Sequence, residues 1–325
     1  MPDLPLFRAI DVVPRHAYDF LWADYVELLC LCSRNGCVSS GNVQALTQET
    51  QDVQTDCDEE PHVHEDPEVL DDRVAKRWTD IRRRFQTRSA SWPAWPFVLD
   101  GSVLNSVYDG KNPEHRLYVA LLIASSLRLC HEDRRGEVTN AFEEISYYWL
   151  KQSLNDLWVV RPFGAHQTLQ NAYTGTLHAK LEALAGDLKA RLQKPADAYD
   201  PSDTGDGGID LVAWMRMGDQ RGNLPVIFGQ CACSPTDWES KQLSVSGPSV
   251  EAHIAPQHQG AAYCFVPHDL QMSDTQWQRA SHVLRTVVVD RARILELFRA
   301  TKTLAALPTW TFVDEPSQIQ ATMAV

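Results

Sequence analysis

Three glycines, at 205, 207 and 208, lead into Asp210 at the head of an apolar run, GDGGIDLVAW (205–214). The next apolar run, LPVIFGQCA (224–232), ends on Gln230-Cys231-Ala232. An aspartate at a strand entry can hold a divalent cation through its carboxylate, and an amide oxygen can add a second, uncharged ligand. Side chains alternate along a strand, so a ligand at one position and a lysine two residues on face the same phosphate. The cation activates water, and the lysine offsets charge growing on the phosphate oxygens. Where that lysine belongs stands Ala232.

Lys241, about two helical turns into SPTDWESKQL (234–243), is the best replacement, because its long stem can reach back. Lys180 is the weaker one. A third acid, Glu143, comes from AFEEIS (141–146) in a preceding helix, and its neighbour Glu144 competes for the role. Asp206 is a turn residue that can also support a second cation. Each residue has a plain reading beside the chemical one. Asp210 can solvate a strand start, and Gln230 can be a buried amide that needs hydrogen bonds. Glu143 can complement a helix dipole, and Lys241 can be an exposed surface lysine.

The elements that must position these residues follow from periodicity. EVTNAFEEISYYWLKQSL (137–154) repeats apolar residues at helical steps, with Phe142, Ile145, Trp149 and Leu150 inward. Residues 158–163, 209–215, 224–232, 261–267 and 286–290 are expected strands. Helices are expected over 175–193 and 291–304, and a turn-rich loop over 200–208. Ser234 as N-cap, Pro235 at the first position and Asp237 in the first turn predict a helix start. Upstream, 15–33 predicts a helix with one buried stripe of Phe20, Leu21, Tyr25, Leu28, Leu29 and Cys32. Residues 38–72 carry no period and are expected to be a surface loop. A helix over 70–86 turns Val74, Trp78, Ile81 and Phe85 inward and leaves Lys76, Arg77, Arg83 and Arg84 outside. SWPAWPFVLDG (91–101) is a connection in which proline disfavours helix. LYVALLIASSLRLC (117–130) is a buried core helix, too short for a membrane span. A boundary near 131 divides a mainly helical N-terminal region, 1–130, from a C-terminal domain, 131–325.

The net charge is −13, which by itself argues against a nucleic-acid partner. Nine acids crowd into 56–72 with no Lys or Arg, the character of a disordered acidic loop. Residues 73–88 then carry seven bases against one acid, and such a local surface can bind phosphate. The plain reading of that stretch is a solvated basic helix face. The start of the chain lacks the pattern of a signal peptide, which with the missing apolar span predicts a cytoplasmic protein. The eight cysteines are expected to be reduced there. Cys30, Cys32 and Cys37 with Cys57, His62 and His64 suggest zinc only weakly, since the spacing is not one of the usual pairs.

A helix bearing FE, a strand, GDGGIDLVA, a strand ending in GQC, and the strand–helix close TVVVDRARILELF together resemble the PD-(D/E)xK nuclease superfamily. The similarity is greatest to its Mrr-type restriction endonuclease branch, where Gln often replaces the second acid, and it covers about 131–305. It implies an α/β fold with a restriction-endonuclease-like core, a central mixed sheet flanked by helices in the order αβββαβ. It implies a Mg²⁺-dependent (or Mn²⁺-dependent) deoxyribonuclease, with Glu143, Asp210 and Gln230 as metal ligands and Lys241 as the relocated lysine. DNA is the implied partner, and bacterial defence against phage or foreign DNA the implied setting. The net acidity adds an expected protein partner or a homo-oligomer, and no membrane. Ala232 departs from the family pattern and supports a competing reading, a catalytically inactive subunit that uses the fold for DNA binding or assembly. A cysteine enzyme or zinc module is the distant third.

Overall fold

The computed structural model describes the chain apart from residues 1–3, 9, 11, 15–17, 56–66, 165, 167, 171, 274 and 320–325, and gives backbone alone for 48–55 and 67–74. It divides into two compact units. The first holds 1–138, 268–276 and 309–325, and the second holds 139–267 and 277–308.

In the first unit, α1 (Asp19–Cys32) packs against α3 (Pro67–Ser91) and α4 (Pro113–Ser125). A three-stranded antiparallel sheet lies beside them, built of β1 (Cys37–Ser39), β2 (Phe97–Asp100) and β3 (Val103–Ser106) in the order β1-β3-β2. The single buried stripe expected of α1 is corrected: Phe20 through Cys32 are buried without a break. Two acids, Asp24 and Glu27, lie inside that run, and their partner is Arg88 on α3. Its guanidinium sits 2.7 Å from Asp24, 2.8 Å from Glu27 and 2.8 Å from Asp269. Trp95 Nε1 and the Tyr118 hydroxyl donate to Glu27, and Ser125 Oγ donates to Asp24. The basic face expected of α3 is corrected in the same way. Lys76 and Arg83 are exposed, but Arg84 is buried and donates to the carbonyl of Gln271. Trp78, Ile81 and Phe85 point inward as their spacing predicts.

The loop expected over 38–72 is a helix over much of its length. α2 (Ser40–Thr55) follows β1 directly, and α3 begins at Pro67. Ser39 and Asn42 cap the start reciprocally: Asn42 Oδ1 accepts from the Ser39 N–H at 2.9 Å, and Ser39 Oγ accepts from the Asn42 N–H at 3.3 Å. A polar helix anchored by a cap and, among its described side chains, one buried valine, Val43, shows no apolar period. The core of the acidic segment, 56–66, lies outside the described residues. So do Cys57, His62 and His64 of the zinc expectation. Cys30 and Cys32 are buried, and burial pushes the Cys32 thiol up to about 12. The buried helix expected over 117–130 is α4, shifted toward the N-terminus: it starts at Pro113, with Asn112 accepting from the Glu114 N–H, and ends at Ser125, a short 3-10 turn taking 127–129.

α5 (Glu132–Ser153) begins in the first unit and from Thr139 belongs to the second. The second unit is a mixed α/β structure. Its strands are β4 (Trp158–Pro162), β6 (Leu211–Met215), β7 (Val226–Cys231), β9 (Ala261–Phe265) and β10 (Val287–Val289), with a small pair, β5 (Arg191–Leu192) and β8 (Ile254–Ala255), set apart. The central sheet runs β10-β9-β7-β6-β4. β4, β6 and β7 are antiparallel neighbours, whereas β7, β9 and β10 are parallel. Helices flank both faces. Leu177, Leu181, Leu184 and Leu188 of α6 (Leu177–Leu188) pack on Val212, Trp214, Val226 and Phe228. On the other face, Trp149 of α5 stacks edge-on against Phe265 with ring centres 5.5 Å apart. Gly229 gives a close fit there, since a Cβ would lie 3.2 Å from Leu211 Cβ and 3.3 Å from a Phe265 ring carbon.

α6 ends at Leu188, short of the expected 193, because Lys189 turns the chain with a positive φ of 53°. The helix expected from Ser234 is only α7 (Trp238–Lys241), followed by α8 (Gly247–Glu251). Ser234 Oγ still accepts from the Asp237 N–H, at 3.2 Å, but it caps a turn. α9 (Arg291–Thr301) closes the unit, capped by Asp290 accepting from the Arg293 N–H. Among the described residues no helix is long and apolar enough to cross a membrane.

Candidate functional site

Register places Leu211 opposite Gly229, which brings Asp210 and Gln230 side by side at the same end of β6 and β7. Gln230 Nε2 donates to Asp210 Oδ2 and, at 3.1 Å, to its own strand's Cys231 carbonyl. The Cys231 N–H also donates to Asp210 Oδ2, at 2.6 Å. Both side chains are buried. Asp210 Oδ1 and Gln230 Oε1 accept no hydrogen bond among the described residues. The amide thus orients the carboxylate and leaves one oxygen of each open.

Glu143 approaches from α5. Its carboxylate has no hydrogen-bond partner among the described residues. Burial pushes it up to about 8, the charges of Asp210 and Asp206 add to the rise, and the Lys241 ammonium opposes it. Burial likewise raises Asp210 to about 7, against the Cys231 N–H and with Asp206 adding to the rise; Lys241 and Gln230 pull the other way. Asp206, Asp210 and Lys241 therefore act on Glu143, and Asp206 and Lys241 on Asp210, though they come from the loop before β6, the head of β6 and α7.

Asp206 adds a third acid. It folds the loop locally, accepting from the Gly208 N–H at 2.7 Å. Gly208 has a positive φ of 82°, and a Cβ on it would lie 2.8 Å from Ser244 Cβ and 3.6 Å from Gln230 Oε1. The glycine lets the acidic loop press against both the amide and the chain after Lys241.

The other candidates have structural partners. Glu144 is buried and accepts from Thr168 Oγ1, so Glu143 is the member of the pair that faces the acids. Lys180 is buried, and its ammonium donates to the carbonyls of Thr204 at 2.6 Å and Gly205 at 3.1 Å. That lysine pins the loop in front of Asp210 and is not free to meet a phosphate. Ala232 is fully buried. Lys241 is exposed. Cys231 is buried, and burial pushes its thiol well up, so it is no nucleophile.

The donor set is one of hard oxygens, two carboxylates and a neutral amide, with a further acid beside them. Oxygen ligands of this kind suit Mg²⁺ or Mn²⁺. They are not gathered into a cage: among the described residues no group of three or more His, Cys, Asp or Glu side chains is placed to hold a metal ion. Asp210 and Gln230 would form the fixed part of a cation site, and Glu143 the part drawn in by charge.

The raised carboxyls have a consequence for stability. In the unfolded chain both ionise near pH 4, but in the folded protein they hold their protons to about pH 7 and 8. Between those limits the folded state binds more protons, so stability falls as pH rises, by at most about 1.4 kcal/mol per pH unit for each group. The full penalty is present above pH 8 and absent below pH 4. Urea unfolding from pH 5 to 8.5 without added cation should show this fall, and Asp210→Asn should flatten it. An unchanged slope in that variant would contradict the assignment.

No protein-family model, no curated protein and no solved structure matches this chain.

Proposed function

We propose that this protein is a metal-dependent endonuclease that hydrolyses DNA phosphodiester bonds. The observation that carries the reading is the Asp210–Gln230 pair at the ends of β6 and β7, held by hydrogen bonds that leave one oxygen of each open, with Glu143 and Lys241 within its electrostatic reach. The elements α5, β4, β6, β7, α7 and β9 follow the order αβββαβ of the PD-(D/E)xK nucleases, with α6 and β5 inserted after the first strand and α8 and β8 before the last. That order, and a five-stranded mixed sheet with helices on both faces, support a restriction-endonuclease-like core. DNA as substrate and Mg²⁺ or Mn²⁺ as cofactor come from the resemblance.

A divalent cation, when bound, supplies the Lewis acidity that makes hydroxide available near neutral pH. Asp210 and Glu143 would provide the negative charge to hold it, and Gln230 would keep Asp210 oriented. On loading, the two carboxyls would give up the protons they otherwise retain. Lys241 offsets charge on the phosphate oxygens as the bond to the leaving oxygen breaks.

The test is cleavage of supercoiled plasmid in Mg²⁺, Mn²⁺ or EDTA. Lys241→Ala should lower kcat by about 10²-fold, the scale of a lost electrostatic stabiliser, with Mn²⁺ binding retained in calorimetry. Full activity in that variant would remove Lys241 from the mechanism. The buried Ala232 favours a second reading, a nuclease fold kept for binding alone. It predicts no cutting by the wild type and DNA binding indifferent to metal and to Asp210.

A further inference from the structure

Lys241 rides on α7, a helix of four residues. A single turn has no stability of its own. Its place is set by what grips it, and the residue after Lys241 does much of the gripping. Gln242 is fully buried. Its Nε2 donates to the His282 carbonyl at 2.9 Å and to the Glu239 carbonyl at 3.3 Å, and its Oε1 accepts from the Leu284 N–H at 3.0 Å. Glu239 on the same turn pairs with His282 Nδ1. Trp238 is buried at the head of the turn. Two residues beyond Gln242, Ser244 lies against Gly208 of the acidic loop. The segment bearing Lys241 is thus fastened on one side to 282–284 and touches the loop leading to Asp210 on the other.

We propose that Gln242 is a positioning residue for Lys241: its buried carboxamide ties α7 to 282–284 and so sets where the ammonium lies relative to the Gly208 loop and the Asp210 behind it. The inference rests on the reading of Lys241 as the phosphate-facing cation. Gln242 has no free group to offer a substrate, because both amide hydrogens and the oxygen are engaged with backbone. It acts through geometry, and displacement of a catalytic group by about 1 Å is enough to cost about 10²-fold in rate.

Two variants test this. Gln242→Met keeps the volume and removes all three hydrogen bonds, whereas Gln242→Glu keeps an acceptor for the Leu284 N–H. Lysines are ¹³C-dimethylated, and the Lys241 signal is assigned by its loss in Lys241→Arg. Asp210→Asn should displace that signal in otherwise wild-type protein, and most of the displacement should vanish in Gln242→Met. In plasmid cleavage Gln242→Met should lower kcat by about 10²-fold at unchanged KM, with no further loss in a Lys241→Ala background. Gln242→Glu should fall between the two. A Lys241 signal that still responds fully to Asp210→Asn would overturn the proposal. So would an equal kcat loss in the Lys241→Ala background, or unfolding of both variants by circular dichroism, since each assigns Gln242 to stability alone. Absence of cleavage by the wild type would sink the nuclease reading and leave the NMR comparison to decide the role of Gln242.

Discussion

Asp210→Ala is expected to lower metal-dependent DNA cleavage by about 10³-fold or more, the upper range for losing one preorganised electrostatic group, while the protein stays folded. The size follows from the position of Asp210 at the centre of the site. It is the carboxylate that Gln230 and the Cys231 N–H orient, and its charge contributes to the raised proton affinity of Glu143. Removing it takes away the proposed fixed anionic ligand and leaves a neutral amide with the carboxyls of Glu143 and Asp206. The fold should survive because a buried carboxylate without a cation is itself a cost, which the alanine relieves. Two amide donors lose their acceptor, and that offsets part of the gain. Mn²⁺ titration calorimetry and plasmid cleavage should therefore fail together, with a melting temperature at pH 8 no lower than that of the wild type by more than a few degrees. Retained cleavage, or cleavage lost only because the variant unfolds, would defeat the assignment.

Arg88→Met should be the most destabilising single change outside the site, about 3–5 kcal/mol, because it leaves buried carboxylates without their cation. Asp24, Glu27 and Asp269 all contact that guanidinium at 2.7–2.8 Å, and the Arg88 side chain is only 4% exposed. The remaining donors from Trp95, Tyr118 and Ser125 satisfy oxygens but bring no charge. Arg88→Lys keeps the charge yet has one ammonium where three separate nitrogens now reach three acids, so an intermediate loss is expected. Arg83→Met, on the exposed face of the same helix, should change stability by no more than about 0.5 kcal/mol. Urea unfolding of the three variants checks the order. An Arg88→Met protein as stable as Arg83→Met would mean that the buried acids are held by something other than their ion pairs.

What could be read along the chain were features whose cause is local. The apolar run of 117–130 announces α4, and 291–304 announces α9, though their caps and exact ends do not stand out. β6 and β7 have apolar runs bounded by turns, whereas the register that sets Asp210 beside Gln230 comes from their pairing. Apolar runs and turns act over a few residues, so the order of residues was enough for them. α2 escaped because it is polar and owes its start to one Ser39–Asn42 cap. The default that charged side chains are exposed put Arg84 outside, and it fails wherever a buried partner waits far along the chain. For Arg88 those partners include Asp269, and no spacing announces a pair 181 residues apart. The choice of Glu143 over Glu144 was made by Thr168, and Lys180 was taken out of the site by the carbonyls of 204–205. Residue types and apolar runs mark out the candidate oxygens and the strands that carry them. Which of those side chains are spent on holding the fold and which are left open depends on partners that packing brings together from far along the chain and desolvates there.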